Sequence, residues 1–91
     1  MLKLPLTAAK ELRYYENLMS KKQQQLATKL GFNLRSARDA KQWTLETLQA
    51  EANVSIATIS ELENGKYLPT TNTLLRLASA LGVSLHQLTG A

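Results

Sequence analysis

Leu45, Leu48 and Ala52 fall on one face at helical spacing, Asn53-Val54 interrupts them, and Ile59 and Leu62 resume the apolar face beyond Ser55. The pattern predicts two short helices that meet at a tight turn. Each start is marked by a hydroxyl able to accept from the free N–H groups of a first helical turn, Thr44 for the first helix and Ser55 for the second. Glu46 adds negative charge near the positive end of the first helix. Asn64-Gly65 gives the second a left-handed stop, with Lys66 placing positive charge just past it. Counted from Ser55, Ile56, Ala57, Ser60 and Glu61 face outward while Ile59 and Leu62 face the core.

Upstream, Ala8, Leu12, Tyr15, Met19, Lys22 and Leu26 alternate by four and three residues in a run free of Gly and Pro. That predicts an amphipathic helix capped by Thr7 and running through residues 8–27, with a heptad-like stripe interrupted at Lys22. Three uses of the stripe stay open: packing on the domain, binding a second copy or a protein partner, or an accessory arm on nucleic acid. Leu30, Leu34 and Ala37 then predict a helix capped by Thr28 that ends at Lys41-Gln42. Gly31 leaves open whether these are one bent helix or two joined near Ala27-Thr28. Downstream, Thr70 or Thr71 caps a helix with the broad apolar face Leu74, Leu75, Leu77, Ala78 and Leu81, stopped at Gly82-Val83. Ser84 caps a final short turn through Leu85 and Leu88. The sum is an all-α fold, five helices plus the N-terminal one, divided into a basic helical extension (residues 1–27) and a domain (residues 28–91). Helix, four-residue turn, helix at its centre is the layout of a helix-turn-helix.

Ninety-one residues make one domain with a modest core, for which a dimer would be unsurprising. There is no cysteine, so neither a disulfide nor a thiolate metal site is available. No apolar run approaches the roughly 18 residues that cross a bilayer, and the N-terminus lacks a signal-peptide core; the expected location is the cytoplasm. The net charge of +4 suits a polyanion partner. Its distribution says more. Lys3, Lys10, Arg13, Lys21, Lys22 and Lys29 against Glu11 and Glu16 place the whole excess in residues 1–30, and residues 31–91 balance. His86 has no second histidine, cysteine or nearby carboxylate, so neither a metal nor a catalytic role is expected of it. No nucleophile, base and orienter assemble into an active site, no phosphate-cradling glycine loop is present, and no cofactor is expected.

With Arg38 ahead of the helix pair, Val54-Ser55, Ile59, Glu63-Asn64-Gly65-Lys66, Pro69 and the ending Leu81-Gly82-Val83-Ser84, the sequence resembles the phage repressor and Cro superfamily, also called the XRE family, over roughly residues 30–88. The resemblance implies a five-helix lambda-repressor-like DNA-binding domain whose second helix of the pair lies in the major groove. By that resemblance Ile56, Ala57 and Glu61 occupy base-contacting positions, with Ser60 beside them. Ile56 and Ala57 would touch thymine methyl groups, and Glu61 would accept from cytosine N4. Thr44, Ser55, Thr58, Asn64, Lys66, Lys41 and Arg35 would contact phosphates. Arg38 and Glu63 match positions that form a structural ion pair, and Trp43 a position that seals the core. Leu85, His86 and Leu88 would contribute to a dimer contact. The chain departs from the family pattern at Leu45, where glutamine is frequent, at Gln49, where alanine is usual, and at Asn53, where glycine is common; asparagine tolerates positive φ. The resulting expectation is a sequence-specific transcriptional regulator, a repressor, that binds double-stranded DNA as a homodimer on a palindrome with half-sites roughly 34 Å apart. The alternatives are an antitoxin-like interaction module whose N-terminal helix binds a protein partner, and a scaffold that no longer reads DNA.

Overall fold

The structure is a computed structural model and describes residues 19–90. It is all-helical, with α1 at Lys21–Ala40, α2 at Leu45–Ala52, α3 at Ile56–Glu63, α4 at Thr71–Leu81 and α5 at Leu85–Thr89. Every one of these helices starts at a hydroxyl. Ser20, Thr44, Ser55, Thr70 and Ser84 each accept from the backbone N–H three residues on, which satisfies one of the donors a first turn leaves free.

At the first of these caps the structure departs from the pattern. Ser20 is extended, and it forms a capping box in which its hydroxyl accepts from Gln23 N at 3.1 Å while its own N–H donates to Gln23 Oε1 at 3.0 Å. The helix expected through residues 8–27 is therefore interrupted at Ser20, and the expected joint at Ala27-Thr28 falls inside an unbroken α1. The earlier part of that helix, with Thr7, Ala8, Leu12 and Tyr15, lies outside the described residues. Lys22 and Leu26 of its stripe are exposed, whereas Ala27 is wholly buried. Thr28 begins no helix; its backbone lies beside the turn after α3, where a Cβ on Gly65 would come within 3.2 Å of Thr28 Cα.

Gly31 explains how one helix passes this point. Its missing side chain lets α1 cross the C-terminal end of α3: a Cβ there would collide with the Leu62 carbonyl oxygen and come within 2.8 Å of that of Glu63. Around this crossing Leu34, Leu48, Ile59, Leu62, Leu77 and Leu88 form the fully buried centre of the core. α1 packs on α3 and α5, and α2 packs on α3 and α4. Trp43 is half-buried against this core, as a sealing residue would be.

Two expectations about apolar faces change. Leu88 was placed at a dimer contact; it is 1% exposed, held in the core where Asn33 Nδ2 donates to its carbonyl at 2.9 Å. Its spacing from Leu85 fits either face of a one-turn helix, and the tertiary contact with α1 decides. Leu75, expected on the broad apolar face of α4, is 49% exposed, because the core-facing period of that helix is Leu74, Leu77, Ala78 and Leu81 and Leu75 lies off it. Phe32 points away from the core on α1 and is 70% exposed.

Candidate nucleic-acid interface

The α2–α3 pair is held from beneath by Leu48 and Ala52 on one helix and Ile59 and Leu62 on the other, with Val54 buried in the turn. Asn53 takes the left-handed conformation, φ 57°, at the C-cap of α2, and Arg76 of α4 donates to its carbonyl at 3.2 Å. The departure from glycine there is thus absorbed by a residue whose backbone reaches that region. Anchoring these apolar positions turns the opposite side of α3 to solvent: Ala57 is exposed, and Ile56, Ser60 and Glu61 are partly so.

Gln49 occupies the position where the two helices approach. Its Oε1 accepts from Ile56 N at 2.9 Å, so the side chain reaches across the turn and caps α3 a second time. Together with Ser55 it satisfies two first-turn donors, and it adds a polar strut where alanine would supply only close packing. Nothing in the linear sequence marks this, because the partner is a backbone group seven residues on.

The hydroxyls at the helix starts are already engaged. Ser55 accepts from Thr58 N and donates to Thr58 Oγ1 at 2.9 Å; Thr44 accepts from Thr47 N and shares a hydrogen with Thr47 Oγ1 at 3.1 Å. The Tyr67 hydroxyl donates to Glu61 Oε1 at 2.9 Å. Burial first, then the hydrogen bond to Glu61, raise the phenol pKa above its ordinary value, while a hydrogen bond with Thr58 acts in the other direction. Sequence reading assigned Tyr67 no role. The available signal was Gly65, which at φ 69° folds the chain back so that Lys66 N donates to Glu61 O at 3.1 Å and the next residue lies beside α3.

Arg38 and Glu63 lie beneath this face. Arg38 Nε and Nη2 meet the two Glu63 oxygens at 2.7 and 2.9 Å, and Nη1 donates to Trp43 O at 2.8 Å. The side chains are 11% and 7% exposed. The hydrogen bond to Glu63 is the largest influence on Arg38 and holds its pKa above the usual arginine value, against the opposing effect of burial. One guanidinium thereby joins the end of α1, the lead-in to α2 and the end of α3, a planar fork suited to that task.

The remaining candidate phosphate contacts are spread along the pair. Lys41 is exposed, its Nζ 5.0 Å from the centre of the Trp43 ring. Asn64 donates through Nδ2 to Ser60 O at 2.8 Å, capping the end of α3, and Lys66 is exposed just beyond. Arg35 stands apart on α1, paired with Asp39 at 3.8 Å. Leu85 and His86 are exposed on α5. Among the described residues there is no cluster of His, Cys, Asp and Glu that could hold a metal ion, and no helix long and apolar enough to cross a membrane.

A helix-turn-helix family model matches residues 34–88, more than half of the chain and the whole of the anchored pair. The chain belongs to the XRE-type helix-turn-helix family of DNA-binding transcription regulators. The chain is similar to two solved structures. The restriction-modification controller protein C.AhdI from Aeromonas hydrophila is 29% identical, with a TM-score of 0.65 over 68% of this chain and 94% of that one. The hypothetical transcription factor NHTF from Neisseria is 28% identical, with a TM-score of 0.66 over 70% of this chain and 74% of that one. No curated protein sequence matches the chain.

Proposed function

We propose that this XRE-type regulator reads duplex DNA in a sequence-specific way as a homodimer, with α3 in the major groove of each half of a palindromic site, and represses by occupying that site. The observation that carries the reading is the outward N-terminal half of α3, held by the double cap from Ser55 and Gln49 and by the Arg38–Glu63 fork. A helix fixed at both ends can place Ile56 and Ala57 against thymine methyl groups, with Ser60 and Glu61 facing the next base pairs. Thr44, Ser55 and Thr58 at the helix N-termini, with Lys41, Asn64 and Lys66, would meet phosphates and set register. Arg35, already paired with Asp39, would contribute less. Leu85 and His86 supply the exposed part of a dimer contact on α5; Leu88 supports it from within. Similarity to a controller protein and to a hypothetical transcription factor supports a role in regulation.

Selection from a random duplex library with the intact chain is the test. Enrichment of an inverted repeat with half-sites one helical turn apart is expected. Enrichment of a single asymmetric site would remove the homodimer, and no enrichment at low salt would remove sequence-specific reading altogether.

A further inference from the structure

We propose that Tyr67 is a positioning residue for base selection. Its hydroxyl fixes the Glu61 carboxylate so that the remaining oxygen accepts from a base amino group, which selects cytosine at the position Glu61 reaches. The inference rests on α3 being the reading helix and names a determinant that α3 itself does not contain.

A glutamate on an open helix surface samples many rotamers, and beside a polyanion its charge favours those that swing away from the phosphates. Here that freedom is removed. Glu61 Oε1 is taken by the Tyr67 hydroxyl at 2.9 Å, and the Tyr67 backbone is set beside α3 by the left-handed Gly65 and by the Lys66 N to Glu61 O bond. Tyr67 is 38% exposed, and the bond to Glu61 gives its hydroxyl a direction along α3. Thr58 stands one turn earlier on α3, where its hydroxyl accepts from Ser55 at 2.9 Å.

The chemistry of selection follows from the proton count. A carboxylate donates nothing, and its only bound proton partner here is the phenol. The free Oε2 therefore attracts an amino group and is repelled by the O6 and N7 acceptors of guanine and the O4 of thymine. Adenine offers N6 but places its N7 acceptor next to it, which leaves cytosine N4 as the best match.

The experiment takes the duplex enriched by the intact chain and measures affinity for every single base-pair substitution, using the intact chain, Tyr67→Phe and Glu61→Gln. Glu61→Gln should lose the preference for cytosine at one position of each half-site. Tyr67→Phe should weaken discrimination at that same position, from about tenfold towards twofold, and leave the other positions and the helical circular dichroism unchanged. Unaltered preferences in Tyr67→Phe, or an even loss at all positions, would overturn the proposal while leaving α3 as the reader. Equal binding of the intact chain to every duplex would overturn both.

Discussion

Gly31 illustrates how much a single residue decides. In an isolated helix, replacing glycine by alanine is worth about 1 kcal/mol in favour of the helix. At this crossing the added methyl meets backbone carbonyls of Leu62 and Glu63, which cannot move without shifting α3. Gly31→Ala should therefore destabilise by about 1–3 kcal/mol in urea unfolding, and a gain in stability would contradict the crossing. The Arg38–Glu63 pair is the second such point. Removing the carboxylate with Glu63→Ala strands a largely buried guanidinium and should cost about 3 kcal/mol, whereas replacing both partners by apolar residues should cost much less. Tyr67 gives a pH signature. Its folded pKa lies above the unfolded value of about 10, so the neutral phenol contributes stability that is complete below pH 10 and is lost as pH rises through the raised value. Comparing phenolate absorbance of the intact chain and Tyr67→Phe should show the missing component titrating above pH 10, and Glu61→Gln should bring it down.

The helices were legible to the extent that their signals are local. Thr44, Ser55 and Ser84 were readable because a hydroxyl just before an apolar period is a property of a few adjacent residues, and Gly82 because a left-handed stop needs little else. The start of α1 was less legible: Ser20 sits in a run of good helix formers, and its capping partner, Gln23 three residues on, is a residue equally at home on any helix surface. Gln49 and Tyr67 were harder to read for a different reason, since each acts on a group brought close only by a turn, and only the turn before Tyr67 is marked, by Gly65. The outward set Ile56, Ala57, Ser60 and Glu61 followed from helical period alone, while the burial of Leu88 depended on where α1 lies. Gln49 is part of the start of α3, through its bond to Ile56 N. Gln49→Ala should lose about 1 kcal/mol by thermal or urea unfolding, and Gln49→Glu, which keeps the acceptor and adds charge at the positive helix end, should lose none. Equal losses in both would show that the strut is incidental.

Across the whole molecule, charge and reading face are separate. The +4 excess lies in residues 1–30, and the part containing the helix pair is neutral, with Glu61 on the outward face itself. On the proposed reading, non-specific attraction to DNA is expected in large part from outside the pair, and selectivity from shape and side chains at the N-terminal half of α3. This division makes one comparison decisive. The ratio of affinities for the selected duplex and a scrambled one of equal length should be measured by fluorescence anisotropy at fixed salt, for the intact chain and for Ile56→Asp/Ala57→Asp. If α3 is the reader, the double variant keeps its fold by circular dichroism and its ratio falls to about one. A double variant that folds normally and keeps the ratio of the intact chain would contradict reading by α3.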